Sequence, residues 1–267
     1  NWVVVNYELI LGDATEYKHV KEIFAKHKIT VVFHAAALKH VPKIEYNPFE
    51  AIKTNVIGAM NVIEASKRTN VKRVIALSTD KASSPINLYG AAKLCSDKLF
   101  VSQNTFTDNK TVFGVVRYGN VIASRGSVIP YFKELSRNNK NKIPLTHENM
   151  TRFFITLDKA IFFVLKTIDR MKSGEIFVPK MNSILIKDLI KVLCPKNSTK
   201  IVGVRAGEKI HETLFSTEES NNIVEKNDHY MILPHQQKFK NKKIKNFTYN
   251  SGSKENINAG KIVKLIE

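Results

Sequence analysis

The chain has 267 residues and carries 42 Lys+Arg against 24 Asp+Glu, a formal charge of +18. Its 43% apolar and 25% charged residues are ordinary for a globular protein and exclude a disordered or fibrous chain. Its longest apolar stretches, such as IFFVL at 161–165, are far shorter than the roughly 20 residues a bilayer span needs, and its two cysteines exclude a disulfide framework.

Cys95 and Cys194 sit in apolar settings and read as buried thiols, with reducing cytoplasm as the expected compartment. The sequence opens on Asn1 with no secretory leader pattern, and a processed chain or fragment is expected. The excess of Lys is read as solvation of helix faces and of the tail, compatible with an anionic small-molecule substrate. A nucleic-acid or membrane-surface role is the alternative that charge alone permits.

Val3 to Val5 is a strand candidate, followed by a helical stripe of Val20, Ile23, Phe24 and His27. TVVFHAAA at 30–37 is a continuous apolar run of the length of a strand buried on both faces. Asn47-Pro48 reads as a helix start, and Phe49, Ile52, Val56, Met60 and Ile63 form the stripe behind it. VKRVIALS at 71–78 is the next strand. The helix at 87–104 turns Leu88, Ala92, Cys95 and Leu99 inward, and a strand at 112–117 follows it.

This alternation predicts an α/β fold, a Rossmann-like, doubly wound parallel sheet covered by helices. Ligands bind at the carboxyl ends of such strands. The segments Gly12-Asp13, Ala35 to His40, Ser78 to Ser84 and Tyr118 to Gly126 are therefore the candidate site. Residues 1–130 are expected to form the dinucleotide-binding part. Residues 131–234 form a smaller C-terminal substrate lobe with some segments returning to the core, and 235–267 a Lys/Asn-rich peripheral tail.

The sharpest chemical signal is Tyr89-x-x-x-Lys93 at a helix start, preceded by Ser78-Thr79-Asp80-Lys81 at a strand end. Residues four apart share a helix face. A nearby ammonium lowers a phenol's pKa, which suits Tyr89 to exchange a proton with a substrate hydroxyl. His34, His40 and His211 make no metal constellation, and no metal site is expected.

At these residues the sequence resembles the extended short-chain dehydrogenase/reductase superfamily, and within it the soluble inverting UDP-N-acetylglucosamine 4,6-dehydratases of pseudaminic acid synthesis. HAAALKHVP (34–42), KTNVIGAMNV (53–62), ALSTDKASSPINLYGAAKL (76–94), VVRYGNVIASRGSVIP (115–130), MTRFFITLD (150–158), GEIFVPK (174–180) and RAGEKIHE (205–212) carry the resemblance. The Thr79-Asp80-Lys81 triplet discriminates most: related dTDP-glucose dehydratases carry Asp-Glu there, and sugar 4-epimerases lack such an acid–base pair. Large membrane-anchored relatives usually carry Met where this chain has Tyr89.

The resemblance implies roles. Tyr89 takes the sugar 4-OH proton with Lys93 as its electrostatic partner. Asp80 is the acid at C6 and Lys81 the base at C5. Thr79 or Ser78 orients the substrate hydroxyl. A lysine base acts when neutral, so burial or Lys93 is expected to lower the pKa of Lys81. NADP is the implied cofactor, with Asp13, Ala35, Ala36, Lys39, Leu77, Ser78, Tyr89, Lys93, Tyr118, Val121 and Arg125 as contacts. Asn55 is expected to support the adjacent strand end. Asn120, Arg205 and Glu208 are the implied contacts to a UDP-sugar, although Ala206 stands where the family usually has Pro. A homo-oligomer is also implied. The alternatives are a sugar-nucleotide epimerase of the same superfamily, or a basic nucleic-acid-binding protein on a degenerate Rossmann scaffold.

One family feature is missing. None of the 11 glycines forms the Gly-x-x-Gly-x-x-Gly turn that lets backbone approach a pyrophosphate. The resemblance starts at what would be the third strand, so an N-terminally truncated member is expected, binding NADP(H) weakly.

Overall fold

The computed structural model describes residues 7–103, 110–122, 124, 126–138, 142–172, 174–234, 243–244, 246–253 and 259–266. The candidate strand at Val3 to Val5 and the proposed contact Arg125 lie outside the described residues.

The chain opens with α1 (Tyr17–Lys26) and β1 (Val31–His34). α2 (Val41–Tyr46) precedes the predicted helix start at Asn47-Pro48, and the predicted helix itself is a relay of α3 (Pro48–Ile52), a π turn at Lys53–Ile57 and α4 (Gly58–Arg68). Asn47 makes no cap; its amide donates to the Lys43 carbonyl. Then come β2 (Arg73–Thr79), α5 (Leu88–Ser102), β3 (Val112–Tyr118) and the short β4 (Asn120–Val121).

The second half contains α6 (Val128–Arg137), β5 (Lys142–Leu145), β6 (Thr151–Ile155) and α7 (Leu157–Arg170). It continues through β7 (Ile176–Pro179), β8 (Asn182–Leu185), α8 (Ile186–Leu193) and β9 (Ser198–Ile201). It closes with β10 (Thr213–Phe215), α9 (Thr217–Ser220), β11 (Ile223–Glu225), β12 (His229–Ile232), β13 (Lys243–Ile244), β14 (Tyr249–Asn250) and α10 (Ala259–Ile266).

The main sheet runs β1-β2-β3-β7-β12-β11-β13. Its first four strands are parallel, and β12, β11 and β13 add antiparallel pairings. β3 is almost wholly buried because apolar groups cover both faces, as a parallel sheet requires. A second core gathers α6, β5, α8 and Ile262 of α10 around Ile143, Leu145, Ile184 and Leu189. β6 joins the two regions, pairing with β4 on one side and β8 on the other.

Three expectations are corrected. Cys95 is exposed and only Cys194 is buried. On α5 Ala92 is buried and Leu99 packs against the core as expected, and Lys93, Ser96, Asp97 and Phe100 share the buried face. The stripe on α3 and α4 is largely open to solvent, with Phe49 at 87% and Met60 at 49% exposure. Part of the supposed peripheral tail is internal. Tyr249 and Ser251 are buried, β14 pairs with β10, and the Tyr249 hydroxyl donates to the Met181 carbonyl. Its Lys/Asn-rich composition conceals two side chains that find polar partners inside. No helix among the described residues is long and apolar enough to cross a membrane.

Candidate active site

A cleft of about 550 Å³ opens at the carboxyl ends of β1, β2 and β3. Strand direction puts it there: backbone leaving parallel strands splays apart before the helices begin. Its walls include Ala35, Ala37, Lys39, Leu77, Ser78, Thr79, Lys81, Tyr89, Lys93, Tyr118, Asn120 and Val121. Arg205 and Glu208 reach it from the turn before β10. Asp80 is fully buried beside this lining. Asp13 and Ala36 are not among the lining residues. The Asp13 carboxylate accepts the Thr15 N–H at 2.8 Å ahead of α1, a turn role rather than a cleft contact.

Local rules fix the reacting groups. Thr79 ends β2, and its hydroxyl accepts the Lys81 N–H and donates to Asp80 Oδ1 at 3.1 Å. Lys81 Nζ donates to Asp80 Oδ1 at 3.0 Å. Asn87 caps α5, its side-chain oxygen accepting the Gly90 N–H at 2.8 Å. Its amide donates to the Gly207 carbonyl at 2.7 Å, tying the Tyr89 helix to the Arg205–Glu208 turn. Asn55 grips the loop after β1, accepting from Leu38 N–H and donating to Leu38 C=O.

Lys81 also lies 3.3 Å from Glu212 Oε1. Arg152, on β6, sits 3.7 Å from that oxygen and 3.5 Å from Glu208 Oε1. Arg152 and Glu212 fall outside the site residues expected from sequence. Their signal was a charged residue inside an apolar strand run (TRFFI) and a second acid in the RAGEKIHE segment.

The electrostatics depart from expectation. Burial alone would lower the Lys81 amine, but the Asp80 and Glu212 carboxylates outweigh it and raise its pKa. Burial raises Asp80, with Lys81 opposing, so Asp80 is the carboxyl of the cluster that holds a proton more readily. Glu212 goes the other way: Lys81 and Arg152 outweigh its burial and keep it ionised. Tyr89 is pushed up to about 12 by burial, against the opposing pull of Lys81 and a Thr79 hydrogen bond. Lys81, rather than the expected Lys93, is the cation acting on it. Lys93 is buried and lowered by desolvation, with Asp97 opposing.

A second buried network lies behind the cleft. Arg117 on β3 donates to Asp97 at 3.2 Å, to Glu219 at 3.0 Å and to the Leu214 carbonyl at 2.9 Å. Ser78 donates to the same Asp97 carboxylate at 2.9 Å. Among the described residues, no group of three or more His, Cys, Asp or Glu is placed to hold a metal ion.

The cleft at the carboxyl ends of the parallel strands thus holds Tyr89, Lys93 and Lys81 in one wall, with Asp80 buried behind them. Residues 2–234 match the polysaccharide biosynthesis protein family. The chain belongs to that family. It is 51% identical over 225 residues to the UDP-N-acetylglucosamine 4,6-dehydratase (inverting) of Campylobacter jejuni, covering 84% of this chain and 67% of that protein. It is 41% identical over 227 residues to the UDP-glucose 4-epimerase of Rickettsia canadensis, covering 83% and 66%. The X-ray structure of Pen from Bacillus thuringiensis superposes with a TM-score of 0.89 at 36% identity, over 96% of this chain and 80% of that one. The chain therefore shares its Rossmann-type architecture with that structure over nearly its whole length.

Proposed function

We propose that the chain is a sugar-nucleotide 4,6-dehydratase acting on UDP-N-acetylglucosamine with inversion at C5. The observation that carries this reading is the hydrogen-bonded Asp80–Lys81 pair beside Tyr89. Elimination of a 6-hydroxyl across C5–C6 needs an acid and a base at those carbons, and epimerisation at C4 needs only proton exchange at the 4-hydroxyl.

The residues present fit the nicotinamide end of a dinucleotide. Ala35 and Ala37 leave room along the cleft, and Lys93, Tyr118 and Val121 border it. No Gly-rich phosphate turn is among this chain's residues. NADP is our choice of cofactor; when bound it supplies the hydride acceptor for C4 and the hydride donor for C6.

The chain's own groups do the proton work. Tyr89 removes the 4-OH proton, with Lys81 and Thr79 favouring its phenolate. Moving one proton along the 3.0 Å bond from Lys81 Nζ to Asp80 creates a neutral amine and a carboxylic acid at no change in net charge. The amine then takes the C5 proton and the acid protonates the departing 6-hydroxyl. Burial of Asp80 favours that tautomer, and the carboxylates around Lys81 oppose it. Arg205 pairs with the diphosphate and Glu208 accepts from the ribose. We also read the chain as a homo-oligomer, a reading supported by the resemblance and by the open apolar face of Phe49, Ile52, Ile57 and Met60.

Product NMR after incubation with UDP-N-acetylglucosamine and saturating NADP⁺ tests the assignment. A 4-keto sugar with a C6 methyl group is expected. A C4-epimerised product that keeps its 6-hydroxyl would replace this reading with the epimerase.

A further inference from the structure

Lys81 Nζ has two carboxylates within reach, Asp80 Oδ1 at 3.0 Å and Glu212 Oε1 at 3.3 Å. An acid–base pair needs only the first. Glu212 is 2% exposed and borders the cleft, and its Oε2 has no hydrogen-bond partner. A buried carboxylate oxygen left unpaired is costly and persists where the surrounding structure holds it.

That hold is visible. The Glu212 N–H donates to Ser251 Oγ at 2.9 Å, and its carbonyl accepts the Ser251 N–H at 2.9 Å. The backbone of Glu212 is therefore fixed by β14's neighbour, whereas Lys81 ends a flexible four-carbon stem.

We infer that Glu212 is a positioning residue for Lys81: its carboxylate anchors Nζ in the cleft wall and favours the ammonium that forms when the amine takes the sugar's C5 proton. This rests on Lys81 being that base. The C5–H electron pair passes into the C5–C6 bond as the C6–O bond breaks. Asp80 delivers its proton to the leaving hydroxyl, giving water, and Lys81 becomes the ammonium. The sugar loses water, Asp80 and Lys81 return to carboxylate and ammonium, and Glu212 stays ionised throughout. The charged and titratable groups facing Lys81 are Asp80 from the turn after β2, Tyr89 from α5, Arg152 from β6, and Lys209 and Glu212 from the segment before β10.

The test is the titration of Lys81 Nζ by ¹⁵N NMR in the ligand-free chain, in wild type, Glu212→Gln and Lys209→Met. Glu212→Gln is expected to lower the Lys81 midpoint by about one unit or more, a tenfold change in proton affinity. Lys209→Met, which removes a cation, is expected to raise it. Opposite signs are what a purely structural role would not give. An unchanged midpoint in Glu212→Gln overturns the inference; should that variant not fold, an unchanged midpoint in Glu212→Asp, whose shorter side chain draws the carboxylate away from Nζ, does so. In turnover, Glu212→Gln should slow elimination roughly 10- to 100-fold while C4 oxidation persists, with partial recovery in Glu212→Asp. If Lys81→Ala still eliminates water, the base assignment fails, whatever the titration shows.

Discussion

Gly90 faces the carbonyl oxygen of Lys81 so closely that a Cβ on Gly90 would lie well inside van der Waals contact with it, and 3.0 Å from Pro85 Cβ. The first turn of α5 thus rests directly on the Asp80–Lys81 turn, and this contact sets how far Tyr89 stands from the acid–base pair. A backbone carbonyl on one side and the rigid ring of Pro85 on the other leave little free to yield. Gly90→Ala is expected to destabilise the fold by about 1–3 kcal/mol and to reduce product formation further than the stability loss explains. Thermal melts and product NMR on the same preparation separate the two effects.

The division of labour in the cleft predicts different failures for different residues. Asp80→Asn and Lys81→Met should each cut 4-keto-6-deoxy product by roughly 10²–10⁴; C4 oxidation, followed by near-ultraviolet absorbance of the reduced cofactor, should continue in Asp80→Asn and slow only in part in Lys81→Met, which loses the cation acting on Tyr89. Tyr89→Phe should stop both. Equal loss of oxidation in all three variants would show that the roles are not separable.

Arg117 is fully buried and holds two acids, Asp97 and Glu219. Removing one member of such a buried set leaves an uncompensated charge. Arg117→Met is expected to cost about 3–5 kcal/mol in urea melts. Asp97→Asn keeps the shape and should cost less. A double-mutant cycle between the two should give a coupling energy above about 1 kcal/mol.

His34 supplies the pH dependence. Burial, helped by the nearby Lys93 ammonium, lowers its pKa from 6.5 to about 4. The unfolded chain binds that proton at higher pH than the folded chain does. The stabilisation is therefore complete above 6.5 and is lost as pH falls from 6.5 towards 4, by roughly 3 kcal/mol in all. His34→Phe, which can pack on Phe100 as the imidazole does at 5.5 Å, should flatten that loss. Urea melts at about pH 7 and about pH 4.5 measure it; an unchanged difference between the two would place the protonation elsewhere.

Much of this architecture is legible in the chain. Short apolar runs ending in Ser78-Thr79 and Arg117-Tyr118 mark buried parallel strands by composition alone, because a strand covered on both faces must be apolar at every position. That places Thr79, Lys81, Tyr89, Lys93, Tyr118 and Asn120 around one cleft without coordinates, since strand direction decides where the polar ends gather. Asn55 was legible too, as a polar residue on an apolar helix.

What only the tertiary structure decided is which charges meet. Glu212 lies far along the chain from Lys81, and no periodicity links them. Arg117 and Arg152 read as strand residues until folding places acids against them. The signs of the pKa shifts follow from the same fact: sequence supplies the ionisable groups, but burial and partner distance set which protonation state each prefers. Ser251, in a stretch whose composition suggests a solvated tail, ends up holding the Glu212 backbone, because a few hydrogen bonds formed across the fold outweigh a local bias towards water.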